Sequence, residues 1–255
     1  MLIWVDRNRR SAQNTLTVRN ISAGYGNLQI LFDVSIEAKS KEITVIVGPN
    51  GSGKSTLLKT IAGLTTVYDG NIDIEGEEIT RLPAYVLAKK GLAYLPQTDS
   101  TFTQLTVSEN FRMAGYTVNE NEFAQGLKTG LGMFPKLSDY MNSKVENLSG
   151  GERQMVAMTM ALIRKPTVIM LDEPTANLSP KLATEVLRNI VLLAQDLGMA
   201  VLLVEQNAKK ALEIGTKAYL LVGGKKVFDG TARELLEHKE LGQMYLGVKT
   251  ADAAK

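Results

Sequence analysis

Short apolar runs, each closed by a turn signal, alternate with longer amphipathic stretches along most of the chain. Ile43–Val47 is a β-branched run that reads as a buried strand, and it feeds a glycine loop. A helix is predicted from about Lys54 to Ala62, stopped by Gly63. Ahead of these, Leu16 to Ile36 alternates apolar runs with turn residues such as Gly24 and Gly26, which predicts an antiparallel region. Asn71–Ile74 before Gly76 and Leu92–Leu95 before Pro96 read as short strands. From Gln104 to Asn147 the character changes: Thr106 and Glu109 stand at capping-box spacing, and helical patterning follows without a strong strand. Helices are then predicted over Gly151–Ile163, Pro180–Leu197 and Lys209–Ile214, and strands over Thr167–Leu171, Ala200–Val204 and Ala218–Val222. Gly223-Gly224 turns the chain into Lys226–Phe228, and Thr231 with Glu234 opens a last helix. Strands alternating with helices imply a mostly parallel sheet covered on both faces.

Composition adds exclusions. At 255 residues, 44% of them hydrophobic, the chain can bury a core without metal or disulfide staples. Cysteine is absent, which excludes thiolate zinc sites, iron–sulfur clusters and cysteine nucleophiles. A formal charge of +2 is too near balance to argue for a nucleic-acid partner. The longest uncharged stretch, 20–32, is polar and too short to span a membrane. Residues 1–14 carry Arg7, Arg9 and Arg10 without an apolar segment, so they read as a disordered tail rather than a secretory signal. The single histidine, His238, sits in the charged run Glu234–Glu240 and is expected to be a solvated helix residue. Histidine chemistry is nearly excluded.

The strongest chemical signal is Gly48-Pro49-Asn50-Gly51-Ser52-Gly53-Lys54-Ser55, a G-x-x-x-x-G-K-[ST] loop between a strand and a helix. Glycines let backbone N–H groups close around phosphate oxygens, and the helix N-terminus adds its positive end. Lys54 is placed to neutralise β- and γ-phosphates, Ser55 to offer a hydroxyl to Mg²⁺, and Thr56 to complete the nucleotide-binding set. The partner signal is Val168-Ile169-Met170-Leu171-Asp172-Glu173, an apolar strand delivering an Asp that supports Mg²⁺ through water. Glu173 then faces the attacking water as base or orienter. The string Leu148-Ser149-Gly150-Gly151-Glu152 opens a helix ahead of this strand and offers a second anion site without a lysine.

With these motifs the chain resembles the ATP-binding subunits of ABC transporters over about residues 15–248, with 249–255 left as a tail. The resemblance implies an α/β P-loop NTPase (RecA-like) core with an antiparallel β subdomain and a helical subdomain insertion over 104–147. It implies that Tyr25 stacks on adenine, and that Gln97 touches Mg²⁺ or the attacking water and senses a transmembrane partner. Ser149, Gly150, Gly151 and Glu152 are implied to contact ATP held by another protomer, in a head-to-tail homodimer or a heterodimer with a second ATP-binding subunit. Met133 and Phe134, inside the insertion, read as core.

Two positions depart from the commonest pattern of that family. Ala176-Asn177-Leu178-Ser179 puts Ser179 where an Asp is usual, and Val204-Glu205-Gln206-Asn207 puts Gln206 where a His is usual. The latter string, Phe134-Pro135-Lys136-Leu137 and a closing Tyr245-Leu246-Gly247 are similar to the subunits of branched-chain amino-acid importers; subunits for urea or short amides share much of the pattern. The implied function is ATP hydrolysis at the inner face of the cell membrane, coupled to permease subunits and indirectly to a solute-binding protein. The alternatives are urea or amide uptake, export, and a non-transport ATPase of the same type. A P-loop kinase should lack Leu-Ser-Gly-Gly-Glu, and DNA- or ribosome-acting relatives typically carry long coiled coils or two fused cassettes.

Overall fold

The computed structural model describes residues 14–98 and 100–238. Most of the two tails, the closing Tyr245-Leu246-Gly247 and the segment after His238 lie outside them.

Two sheets form the frame. Strands β1 (Asn14–Tyr25), β2 (Leu28–Lys39), β4 (Thr66–Ile74) and β5 (Glu77–Glu78) make an antiparallel sheet in the order β2-β1-β4-β5. Strands β3 (Ile43–Val47), β6 (Leu92–Leu95), β7 (Val168–Asp172), β8 (Ala200–Val204), β9 (Lys217–Val222) and β10 (Lys225–Thr231) make the second, in the order β10-β9-β3-β8-β7-β6. Only the edge strand β10 runs antiparallel there.

The uninterrupted apolar runs follow from burial on both faces. Val45, Val47, Ile169, Leu171, Val201 and Leu203 point into one core, whereas Ile46, Val168, Met170, Leu202 and Val204 point into the other. The first core is shared with α5 (Gly150–Ile163), α6 (Pro180–Gln195) and α7 (Ala208–Ile214). The second is shared with α1 (Lys54–Ile61) and the antiparallel sheet.

Helices α3 (Val107–Ala114) and α4 (Glu120–Met133) pack against α5, with two short 3₁₀ turns before it. Capping boxes at Thr106/Glu109 and Thr231/Glu234 are both formed, the latter opening α8 (Ala232–Glu237). Phe134 is buried and Met133 packs partly buried beside the same core.

Two expectations need correction, and one helix was not expected. The strand expected over Asn71–Ile74 extends back to Thr66, its pairing with β1 continuing past register shifts near Gly70. A helix α2 (Ala84–Lys89), too short to show a period, follows Pro83. His238 is not a helix residue but the C-cap of α8, exposed, with its ring edge-on to Phe228 at 6.4 Å between centroids.

Candidate functional site

The parallel strands bring their C-terminal ends to one edge of the sheet, where ligand sites of open α/β sheets form. Register does the alignment: Ile46 of β3 and Asp172 of β7 both pair with Val204 of β8, and Leu95 of β6 pairs with Leu171. The glycine loop, Asp172-Glu173, Gln97 and Gln206 thereby converge. A cleft of ≈ 520 Å³ is lined by Asn50 to Thr56, Gln97, Glu173 and Gln206, with Ile30 as an apolar wall.

The loop adopts a conformation that side chains would obstruct. Gly48 has φ 150, and a Cβ there would lie 2.0 Å from the Leu221 carbonyl oxygen. Gly53 has φ 97 and is the N-cap of α1, where no side chain caps the helix and no acidic residue sits in the first turn. The first N–H groups of α1 therefore remain available to an anion. Lys54 is buried, and its ammonium donates to the carbonyls of Gly48 at 2.9 Å and Pro49 at 3.0 Å. Burial pushes its pKa down, while Glu173 and Asp172 push it up. The Ser52 hydroxyl is buried without a hydrogen-bond partner. An orphaned hydroxyl, free helix N–H groups and a buried cation together fit a phosphate chain.

Asp172 is 4% exposed and accepts from Ser55 Oγ at 2.9 Å and from Tyr94 Oη at 3.2 Å, one on each oxygen. A serine hydroxyl set against a buried carboxylate, beside a phosphate loop, is an oxygen donor set that suits Mg²⁺. Burial raises the Tyr94 pKa, and the Asp172 charge raises it further, so this phenol stays a donor. Glu173 follows in the left-handed region at φ 48, a conformation that costs a side-chain-bearing residue about 1–3 kcal/mol and persists only when its surroundings impose it. Its backbone N–H donates to the Val204 carbonyl at 2.8 Å, and its carboxylate accepts from Gln97 Nε2 at 3.0 Å.

Some expected residues, among them Gly48, Pro49 and Asp172, are not in the lining of the cleft. Tyr25 ends β1 at the hairpin, 43% exposed, and is not among the residues that line the cleft. Ser149 to Glu152 also stand outside that lining, at the N-terminus of α5. There Ser149 caps the helix, its hydroxyl and backbone N–H both donating to Glu152. A hydrogen bond from Lys136 at 2.7 Å, helped by the Ser149 donors, holds the Glu152 carboxyl down to about 2. Ser179 is the N-cap of α6, accepting from the Leu182 N–H at 3.5 Å, a position that Ser and Asp serve about equally.

Sequence reasoning missed Tyr94, Glu205 and Ile30. A hydroxyl-bearing aromatic on a short apolar strand, and a carboxylate directly after one, were the available signals.

A phosphate loop, an Asp-Glu pair and a glutamine gathered at the edge of a parallel sheet define a P-loop nucleotide-binding cassette. The chain belongs to the ABC transporter family, whose pattern it matches over residues 31–176. It is 53% identical over 228 residues to the "Probable branched-chain amino acid transport ATP-binding protein LivF" of Archaeoglobus fulgidus, covering 89% of this chain and 97% of that protein. It is 38% identical to the high-affinity branched-chain amino acid transport ATP-binding protein BraG of Pseudomonas aeruginosa, covering 91% and 99% of the two chains. The crystal structure of the ADP conformation of MJ1267, an ATP-binding cassette of an ABC transporter, superimposes with a TM-score of 0.79 at 27% identity, covering 91% of this chain and 98% of that one.

Proposed function

We propose that this chain, as one cassette over residues 15–248, hydrolyses ATP to drive import of branched-chain amino acids through separate permease subunits at the inner face of the membrane. The carrying observation is the convergence of Lys54, Ser55, Glu173 and Gln97 on one cleft, with Asp172 hydrogen-bonded to Ser55. The substrate class rests on the 53% identity with the protein named LivF.

In this reading Lys54, the α1 N-terminus and the Ser52 hydroxyl hold the phosphates. Ser55, Asp172 through water, and Gln97 would hold Mg²⁺, which when bound neutralises charge on the β- and γ-phosphate oxygens. Glu173 takes the proton of the water that attacks the γ-phosphorus as the bond to the leaving oxygen breaks. Gln97, already bonded to that carboxylate, fixes its orientation. Gln206 donates its amide to the γ-phosphate and does not ionise, so proton transfer rests with Glu173. The Ser149 to Glu152 turn serves the nucleotide of a second protomer. Among the described residues no helix is long and apolar enough to cross a membrane, in keeping with transport through other chains.

Glu173→Gln should lower kcat by about 100-fold or more while ATP binding survives, the size expected for a lost general base. Vesicles carrying the chain with its permease subunits should take up leucine when supplied with internal ATP, and the Glu173→Gln form should not. Full turnover by the variant would refute the base assignment; uptake of urea but not leucine would refute the substrate class.

A further inference from the structure

We propose that Glu205, to which no role has been given so far, is a positioning residue that clamps the loop carrying Glu173 to the end of β8. The proposal rests on the ATPase reading above and adds a component to it.

Glu205 directly follows β8 and is 4% exposed. Its carboxylate accepts from the Thr175 N–H at 3.0 Å. One residue earlier, the Val204 carbonyl accepts from the Glu173 N–H at 2.8 Å. Residue 174 is proline and has no N–H to give. Both backbone donors of the stretch 173–175 are thus fixed on successive residues, Val204 at the end of β8 and Glu205 just after it. Beyond them the chain closes on itself, with Ala176 N–H donating to the Glu173 carbonyl and Leu178 N–H to the Thr175 carbonyl.

This anchoring explains how Glu173 keeps its left-handed backbone. Such a conformation relaxes unless neighbouring contacts over-determine it. The Val204 contact alone fixes one end of the stretch; Glu205 fixes the other. Past the end of β8, Glu205 leads into Gln206, which lines the cleft. One side chain therefore ties the loop of the base to the strand end that presents the γ-phosphate donor. Onward, Leu178 packs near Gly150 of the Ser149 turn, so the clamped loop also reaches the second anion site.

Burial pushes the Glu205 carboxyl pKa up, while hydrogen bonds from Thr175 and from the Gln206 backbone oppose that shift. What the carboxylate supplies is a directed acceptor for these donors, which an apolar side chain would leave unpaired.

The test compares Glu205→Met, which keeps volume and removes the acceptor, with Glu205→Gln, which keeps an acceptor oxygen. Steady-state ATPase kinetics, thermal unfolding and amide exchange of segment 173–179 are measured on the full chain. Glu205→Met should lower kcat about 10–100-fold, the range for losing a supporting contact at an active site, with KM for ATP within about threefold and the protein still folded at the assay temperature. Exchange in 173–179 should quicken in that variant while strand 168–172 stays protected, and Glu205→Gln should restore both readouts. Parental turnover by Glu205→Met, or equal losses in both variants with exchange unchanged, would overturn the proposal. If the parent chain itself hydrolysed no ATP, the ATPase reading would fail, and the exchange comparison would still decide whether Glu205 clamps the loop.

Discussion

Asp172 has a hydroxyl on each carboxylate oxygen, and the two come from opposite sides of the site. Ser55 reaches it from α1 and Tyr94 from β6. In the proposed function Ser55 shares its oxygen with Mg²⁺, whereas Tyr94 only fixes the carboxylate plane. Tyr94→Phe keeps the ring and removes that donor, so the Mg²⁺ concentration giving half-maximal ATP binding should rise about 10-fold, within the range for lost supporting contacts to metal ligands. The readout is Mg²⁺-dependent nucleotide binding by titration calorimetry, with turnover at saturating Mg²⁺ nearly unchanged. An unshifted Mg²⁺ dependence would make Tyr94 a packing residue only. The sequence showed Ser55 and Asp172 because each belongs to a local pattern. It hid Tyr94 and Glu205 because their partners lie 78 and 30 positions away. A hydrogen bond across that separation leaves no local spacing to read.

Among the elements, the apolar strands β3, β7 and β8 were legible because burial on both faces leaves unbroken apolar runs. The glycine loop was legible for a different reason, since its spacing is dictated by phosphate geometry. By contrast, β4 was read short, since Asp69-Gly70 breaks the apolar pattern although the strand runs through it. Helix α4 carries a feature that periodicity does not convey, its close seat on α5. A Cβ at Gly126 would lie 2.5 Å from the Ile163 Cα, and one at Gly130 would lie 2.4 Å from Thr159 Cγ2. At Gly126 the obstructing atoms are backbone and cannot rotate away. Gly126→Ala should therefore separate the helices and destabilise the fold by about 1–3 kcal/mol, as overpacking does. Gly132 has open space around it, so Gly132→Ala should be neutral or stabilise by up to about 1 kcal/mol through helix propensity. Denaturant midpoints of the two variants check this, and equal midpoints would contradict the packing argument.

For the molecule as a whole, the decisive fact is a division of parts. The cleft that holds Lys54, Glu173 and Gln206 does not include the Ser149 turn, whose hydroxyl and backbone N–H donate to Glu152. Its helix N-terminus is rigidly prepared by the Ser149–Glu152 capping box and braced by Lys136. Within one chain these two halves meet only indirectly, through the loop that runs from Glu173 to Leu178 beside Gly150. In the function proposed above, a complete site draws on two protomers, each lending its Ser149 turn to the other's nucleotide. The central claim is tested most directly by specific ATPase activity as a function of protein concentration, with sedimentation recording the monomer–dimer balance in the presence of ATP and Mg²⁺. The composite site predicts activity per protomer that rises with the dimer fraction and nearly vanishes for monomer; constant activity per protomer across that range would contradict it.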